Sequence, residues 1–191
     1  MNVPSRSLFS EALQVCVGIL RLRNGPEDLP ASPVLLWAVL VGSVLLRLAM
    51  YSLPSPEPTP DQNLALIIAL ELGIHLACVM VALRAAGTPE RFPQTVTALL
   101  GCQLVLAPAL LGGRWLLINY YQSPGGMGAL SQLIFVAISV WLLIVTIRIL
   151  RSATEWPTFA CVMLALGIEM LMTLGALMLY SPPPDAALAP A

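Results

Sequence analysis

The chain has 191 residues, of which 58% are hydrophobic and 10% charged, with a mean hydropathy of +0.86 and a formal net charge of −1. That balance excludes a soluble globular domain and gives no sign of a nucleic-acid partner; none is expected. It predicts an all-α integral membrane protein, because about 20 apolar residues suffice to cross a hydrocarbon core of roughly 30 Å as a helix.

Residues 7–23 open the chain with Ser7, Glu11, Gln14, Gly18 and Arg21 on one helical face and Leu8, Phe9, Ala12, Leu13, Cys16, Ile19 and Leu20 on the other. This pattern predicts an amphipathic helix lying in the membrane surface. Glu11, Gln14, Arg21 and Arg23 interrupt or follow the first apolar region, and no small-residue cleavage site comes after it, so a cleavable signal peptide is not expected. The breaker run from Asn24 to Pro30 ends the helix, and residues 1–30 read as a cytoplasmic lead-in. Its Glu27 and Asp28 are expected to be solvated charges. Ser32 and Pro33 then suit the N-cap and first position of a span.

Five spans are predicted, at residues 34–53, 63–85, 94–112, 129–150 and 157–180, within a membrane domain of residues 31–181 and ahead of a short periplasmic tail, 182–191. Prolines at 54, 56, 58 and 60 predict a stiff extended connection between the first two spans. Pro108, followed by Gly112 and Gly113, is expected to bend or end the third span early. Residues 113–128, with Arg114, Trp115, Tyr120 and Tyr121, read as an interfacial aromatic segment.

Arginine placement predicts orientation. With a cytoplasmic N-terminus, Arg6, Arg21, Arg23, Arg84, Arg91, Arg148 and Arg151 fall inside, leaving Arg47 and Arg114 toward the outside. Tyr51, Tyr121 and Tyr180 then mark the outer interface and Trp37 and Trp156 the inner one, so the aromatic belt agrees with the charge count. All nine basic residues are arginine, a bias that fits GC-rich coding and a bacterial source. The expected location is therefore a bacterial inner membrane, with the C-terminus in the periplasm.

The second span carries Ala65, Ala69, Gly73 and Ala77 at four-residue spacing, a ridge against which another helix should press closely. A homodimer, a membrane-protein partner or a helix of the same chain could fill that role. Glu71, His75 and Cys78 lie on roughly the opposite face, which predicts a central place for this span. Counted from the outer end, Arg47, Glu71, His75 and Glu169 occupy one slab of the membrane. An ionised side chain there costs roughly 2.5 to 3.5 kcal/mol on insertion scales, so each should face inward and find a partner. The expected pairs are Arg47 with Glu71 and His75 with Glu169. Such a cluster either fixes helix register or forms a proton or cation path.

Soft ligands raise a copper site as a further option, built from Met163, Met170, Met172 and Met178 with Cys78, Cys161 and His75. The methionines do not share a face and no paired-cysteine motif occurs, so no metal or other cofactor is expected. Cys16, Cys78, Cys102 and Cys161 read as buried thiols rather than a disulfide framework. Neither of the common hydrolase signatures, H-E-x-x-H or G-x-S-x-G, is present, and no enzymatic activity is expected.

The stretch Arg91-Phe92-Pro93-Gln94, followed by Gly101-Cys102 and Pro108, and the run from Val140-Trp141-Leu142 to Ile149 and Arg151 resemble the third and fourth spans of the Yip family, the Ypt/Rab-interacting proteins, in its bacterial branch. Over residues 34–180 the order of five spans with short loops after a cytoplasmic lead-in is also similar to that family. Cys102 stands where the group has an aromatic residue. The acidic-aromatic Gly-Pro motif of the eukaryotic members does not occur, so the resemblance does not carry Rab binding. It implies a non-enzymatic membrane protein that organises partners or membrane shape, an inner-membrane scaffold or adaptor. The alternative from the residues alone is a small proton-coupled or cation transporter using Glu71, His75 and Glu169.

Overall fold

The computed structural model describes residues 5–53, 64–120 and 126–178, and among them every regular element is helical. The helices are α1 (Ser5–Leu20), α2 (Pro33–Ser52), α3 (Leu64–Ala86), α4 (Phe92–Val105), α5 (Ala107–Tyr120), α6 (Met127–Thr154) and α7 (Thr158–Met178), with single 3-10 turns at Pro26–Asp28 and Pro89–Arg91. Four of them, α2, α3, α6 and α7, are each long and apolar enough to cross a membrane, and α4 with α5 makes a fifth when the bent pair is taken as one span. The proline-rich connection, Tyr121, Tyr180 and the tail lie outside the described residues.

The spans start and stop close to the sequence expectation, with one informative exception. The third was expected over 94–112, yet α4 begins at Phe92, breaks at Leu106, and α5 continues at an angle of 52° through Gly112 and Gly113 to Tyr120. Pro108 explains the break. It offers no N–H to Leu104, and its ring crowds that carbonyl, so the chain turns within the preceding residues. Residues 113–120, expected at the interface, are therefore helix, and Gly113 lets α5 approach Phe135 and Ile138 of α6.

The central helix is α4, not the second span. All residues from Thr95 to Cys102 are buried, which a helix achieves only when surrounded. The small and hydroxylated side chains in this segment explain how neighbours come near: a Cβ at Gly101 would stand 2.9 Å from Cys16 Sγ of α1, and one at Gly42 of α2 would stand 2.8 Å from Leu104. Around α4 the fully buried core is aliphatic, with Val79 and Leu83 of α3, Val96 and Leu100 of α4, and Val145, Ile149 and Leu150 of α6.

α1 divides its apolar face between protein and surroundings. Ala12, Cys16, Ile19 and Leu20 are buried against the bundle, and the Cys102 thiol meets the Cys16 carbonyl at 3.8 Å, while Phe9 and Leu13 stay exposed. The helix is thus amphipathic as expected but docked on α4 as well. Elsewhere the exposed stripes are apolar, as in Trp37, Val41, Leu45 and Leu48 of α2 and Leu133, Val136, Val140 and Ile144 of α6. Spacings of three and four residues align each stripe along one helix face, and a lipid environment suits such surfaces.

The ridge on α3 faces away from the bundle. Ala65, Ala69, Gly73 and Ala77 are all exposed, and no atom comes within 4 Å of a Cβ built at Gly73. α3 instead buries Ile67, Ile68, His75, Val79, Ala82 and Leu83, so its inner face is the one with bulk to interlock. No helix among the described residues presses on the small face.

The close approach at Gly101 is checkable. Gly101→Leu should lower stability by about 1 to 3 kcal/mol through overpacking and loosen α1. In detergent, Cys16 should then react faster with a maleimide, whereas an unchanged rate would remove Gly101 as the docking point.

Candidate functional site

Two ends of the bundle differ in character: one carries α1, the 3-10 turns and the α6–α7 connection, and the other, here the far end, is where α2 stops and α3 starts. Arg47 and Tyr51 are four residues apart on α2 and so lie on one face. Both reach Glu71 of α3. The Nε of Arg47 is 3.5 Å from Glu71 Oε2, and the Tyr51 hydroxyl donates to Oε1. The two ionic side chains are only 14% and 18% exposed, so each meets the cost of leaving water mainly through the other. This is the pair that the shared depth of the two residues predicts.

The second expected pair does not form. His75, 3% exposed, has no hydrogen-bond partner at either ring nitrogen among the described residues. The register of α7 gives the reason. Gly175 packs against Leu70 and Ile74 of α3, and six residues of helix turn through about 600°, which leaves Glu169 roughly 120° round from that contact. Glu169 therefore points toward α4 and α6, where it shares a wall with Gln103 and Leu142.

Arg47, Glu71 and Glu169 line a crevice of about 540 Å³ at the far end, together with Tyr51, Gln103 and Arg114; His75 is not part of its wall. Apart from Thr173, the rest of the lining is aliphatic or thioether, including Leu46, Ile67 and Met172. The Nε of Arg114 is buried without a hydrogen-bond partner among the described residues, and neither Arg114 nor Glu169 forms an ion pair there. A second groove of about 330 Å³ runs between α6 and α7 and shares Gln103, Leu142 and Glu169 with the crevice. The exposed Val140 and Leu166 flank it, so the polar interior has a side opening toward the apolar surface.

Tyr51, Arg114 and Gln103 join the site from outside the expected cluster. The Arg47–Tyr51 spacing was a readable signal. Arg114 was not, because a span ending at residue 112 puts it beyond the membrane, while the continuing α5 returns it to the crevice wall.

The α1 end is held by polar contacts instead. Ser152 donates to Glu27 Oε2 at 2.7 Å, and the Gly25 N–H donates to Asp28 Oδ2 at 3.2 Å, while both acids stay exposed, as expected of solvated charges. Arg91 pairs with Glu155 at 3.0 Å and donates to the carbonyls of Ser152 and Ala153, and Thr88 donates to Ala153 at 3.0 Å. These groups satisfy the open carbonyls at the end of α6, where Glu155 takes a left-handed conformation. Gln94 ties in Leu29 by donating to its carbonyl at 3.1 Å.

Among the described residues no three His, Cys, Asp or Glu side chains could hold a metal ion, and all four cysteines are free thiols. Compared with protein-family profiles, curated proteins and solved structures, the chain matches none.

Replacing Arg47 with Met should destabilise the bundle by leaving Glu71 as a largely buried charge without its ion-pair partner. In a thermal-unfolding cycle with Glu71→Gln, the double variant should recover part of the loss, with a coupling of roughly 1 kcal/mol. Additive losses would show that the pair contributes nothing.

Proposed function

We propose that the protein is a non-enzymatic scaffold or adaptor of a bacterial inner membrane, in which a five-span bundle offers one face of α3 to another membrane helix. The observation that carries this reading is the exposure of Ala65, Ala69, Gly73 and Ala77, with open space around Gly73. In lipid there is no hydrophobic drive to cover an apolar face, so close backbone approach and dispersion decide where helices meet, and small residues permit both. The likeness of residues 34–180 to the Yip family agrees with such a role. A second copy of the chain and a different membrane protein are both suited to the ridge.

The proposed orientation places the α1 end in the cytoplasm. In its support, Arg23, Arg91, Arg148 and Arg151 line the two clefts at that end, whereas Arg47 and Arg114 line the far-end crevice.

A proton or cation path through Glu71, His75 and Glu169 is the lesser reading. Its support is the polar crevice at the far end. Against it stands the layer toward the α1 end, where Val79, Leu83, Leu100 and Ile149 are fully buried and the buried Thr95 and Thr154 hydroxyls are already committed to helix carbonyls.

Gly73→Leu separates the two. The added side chain meets nothing within the bundle, so the fold should keep its stability. Purified in mild detergent from its own membranes, the wild type should carry a stoichiometric partner or a second copy that the variant loses. If instead the wild type is alone, and reconstituted protein shows a proton flux abolished by His75→Ala with Glu169→Gln, the scaffold reading fails.

A further inference from the structure

The far-end crevice holds charges that no described residue compensates. Arg114 and Glu169 stand in its wall without an ion pair among the described residues, and the Nε atoms of Arg47 and Arg114 are both buried without a hydrogen bond. Glu71 differs, because Arg47 and Tyr51 already engage it. Among the described residues the site thus presents an unpaired guanidinium on α5, beside the Glu71-paired guanidinium of Arg47 on α2, and an unpaired carboxylate on α7. Leaving such groups unpaired within a membrane costs several kcal/mol for each, so a ligand that meets both signs gains from both.

A purely anionic ligand would sit beside Glu169, and a purely cationic one beside two arginines. A zwitterion avoids both conflicts. An arginine fork recognises phosphate oxygens by paired N–H donors, and a primary ammonium supplies the N–H groups that a carboxylate accepts. The dimensions suit a headgroup, since a crevice of about 540 Å³ lies within the usual range for a small-molecule site. The side groove adds a route for a chain. It shares Gln103, Leu142 and Glu169 with the crevice and opens between α6 and α7 beside Val140 and Leu166. Burial in α7 supports that opening: Cys161, Ala165 and Ile168 are buried, but beyond Ile168 none of the residues up to Gly175 is.

We propose that this crevice binds the headgroup of a phosphoethanolamine-type lipid, with the phosphate held by Arg114 and Arg47, the ammonium by Glu169, and an acyl chain leaving through the groove between α6 and α7. This is independent of the scaffold reading, which concerns the opposite face of α3.

The test uses the full chain in mild detergent, with thermal unfolding followed as lipids of identical acyl chains are added. Phosphatidylethanolamine should raise Tm by about 5 °C at saturation. Phosphatidylglycerol lacks the ammonium, and phosphatidylcholine lacks N–H donors on it, so both should shift Tm much less. Equal shifts from all three would overturn the proposal, since that is what nonspecific lipid coating gives. In Arg114→Gln and Glu169→Gln the preference for phosphatidylethanolamine should vanish, and a preference retained in both would overturn the assignment. A wild-type measurement guards against misfolded variants: lipid retained by protein drawn from equimolar mixed vesicles should be enriched in phosphatidylethanolamine, and retention matching the vesicle composition would refute the site. Soluble O-phosphoethanolamine distinguishes the source. It should shift Tm little at millimolar concentration, and a shift equal to that of the lipid would overturn the lipid origin.

Discussion

From Thr95 to Cys102, every residue of α4 is buried, and this sleeve of neighbours is the constraint from which the rest of the bundle follows. A helix in lipid has no solvent-driven reason to hide an apolar side, so α4 is enclosed because its own contour invites contact. Thr95, Thr97, Ala98, Gly101 and Cys102 are small and distributed round the helix, and α1, α2, α3 and α6 come close over them. Once α4 is enclosed, α1 docks on the bundle with Cys16 set against Gly101.

The end of that sleeve creates the crevice. Pro108 forces the chain to turn by 52° just past Val105, and α5 leaves α4 to pack on α6 through Gly113. Space opens at the far end where a straight third span would have filled it, and polar residues from α2, α3, α4, α5 and α7 border that space. At the α1 end no such turn occurs. There the aliphatic core is complete, and hydrogen bonds from Thr88, Arg91 and Gln94 lock the loops to α6 and to one another. The α1 end therefore carries only clefts between its loops and α6, whereas the crevice at the far end reaches between the helices.

Pairing inside the crevice follows helix register as much as chemical affinity. Arg47 and Glu71 meet because α2 and α3 bring them to a common level on facing sides, and Tyr51 joins from one turn further along α2. His75 and Glu169 were expected at one depth but do not meet, because packing of Gly175 on Leu70 and Ile74 turns Glu169 toward α4 and α6. Equal depth is necessary for an ion pair in a membrane and is not sufficient, because rotation about the helix axis decides which neighbour a side chain meets.

Hydropathy along the chain was enough to determine the helical class, the positions of four of the five spans to within a few residues and the break near Pro108, since each depends on local composition and on backbone chemistry that lipid enforces. The Arg47–Glu71 pair was also legible, because a charged residue in a span must seek an opposite charge at its own depth. What only the tertiary structure decided is which face of each helix looks inward. In a soluble protein polar residues mark the outer face, but here Leu35 of α2 is buried and Trp37 exposed, and both are apolar. The small ridge of α3 was readable from its spacing but its outward direction was not, and the central role of α4 was hidden in a segment no more hydrophobic than its neighbours. Arg114 entered the crevice only through the tilt of α5. In each case the deciding quantity was the fit of one helix surface against another, which depends on residues far apart in the chain and leaves no periodic trace in any one of them.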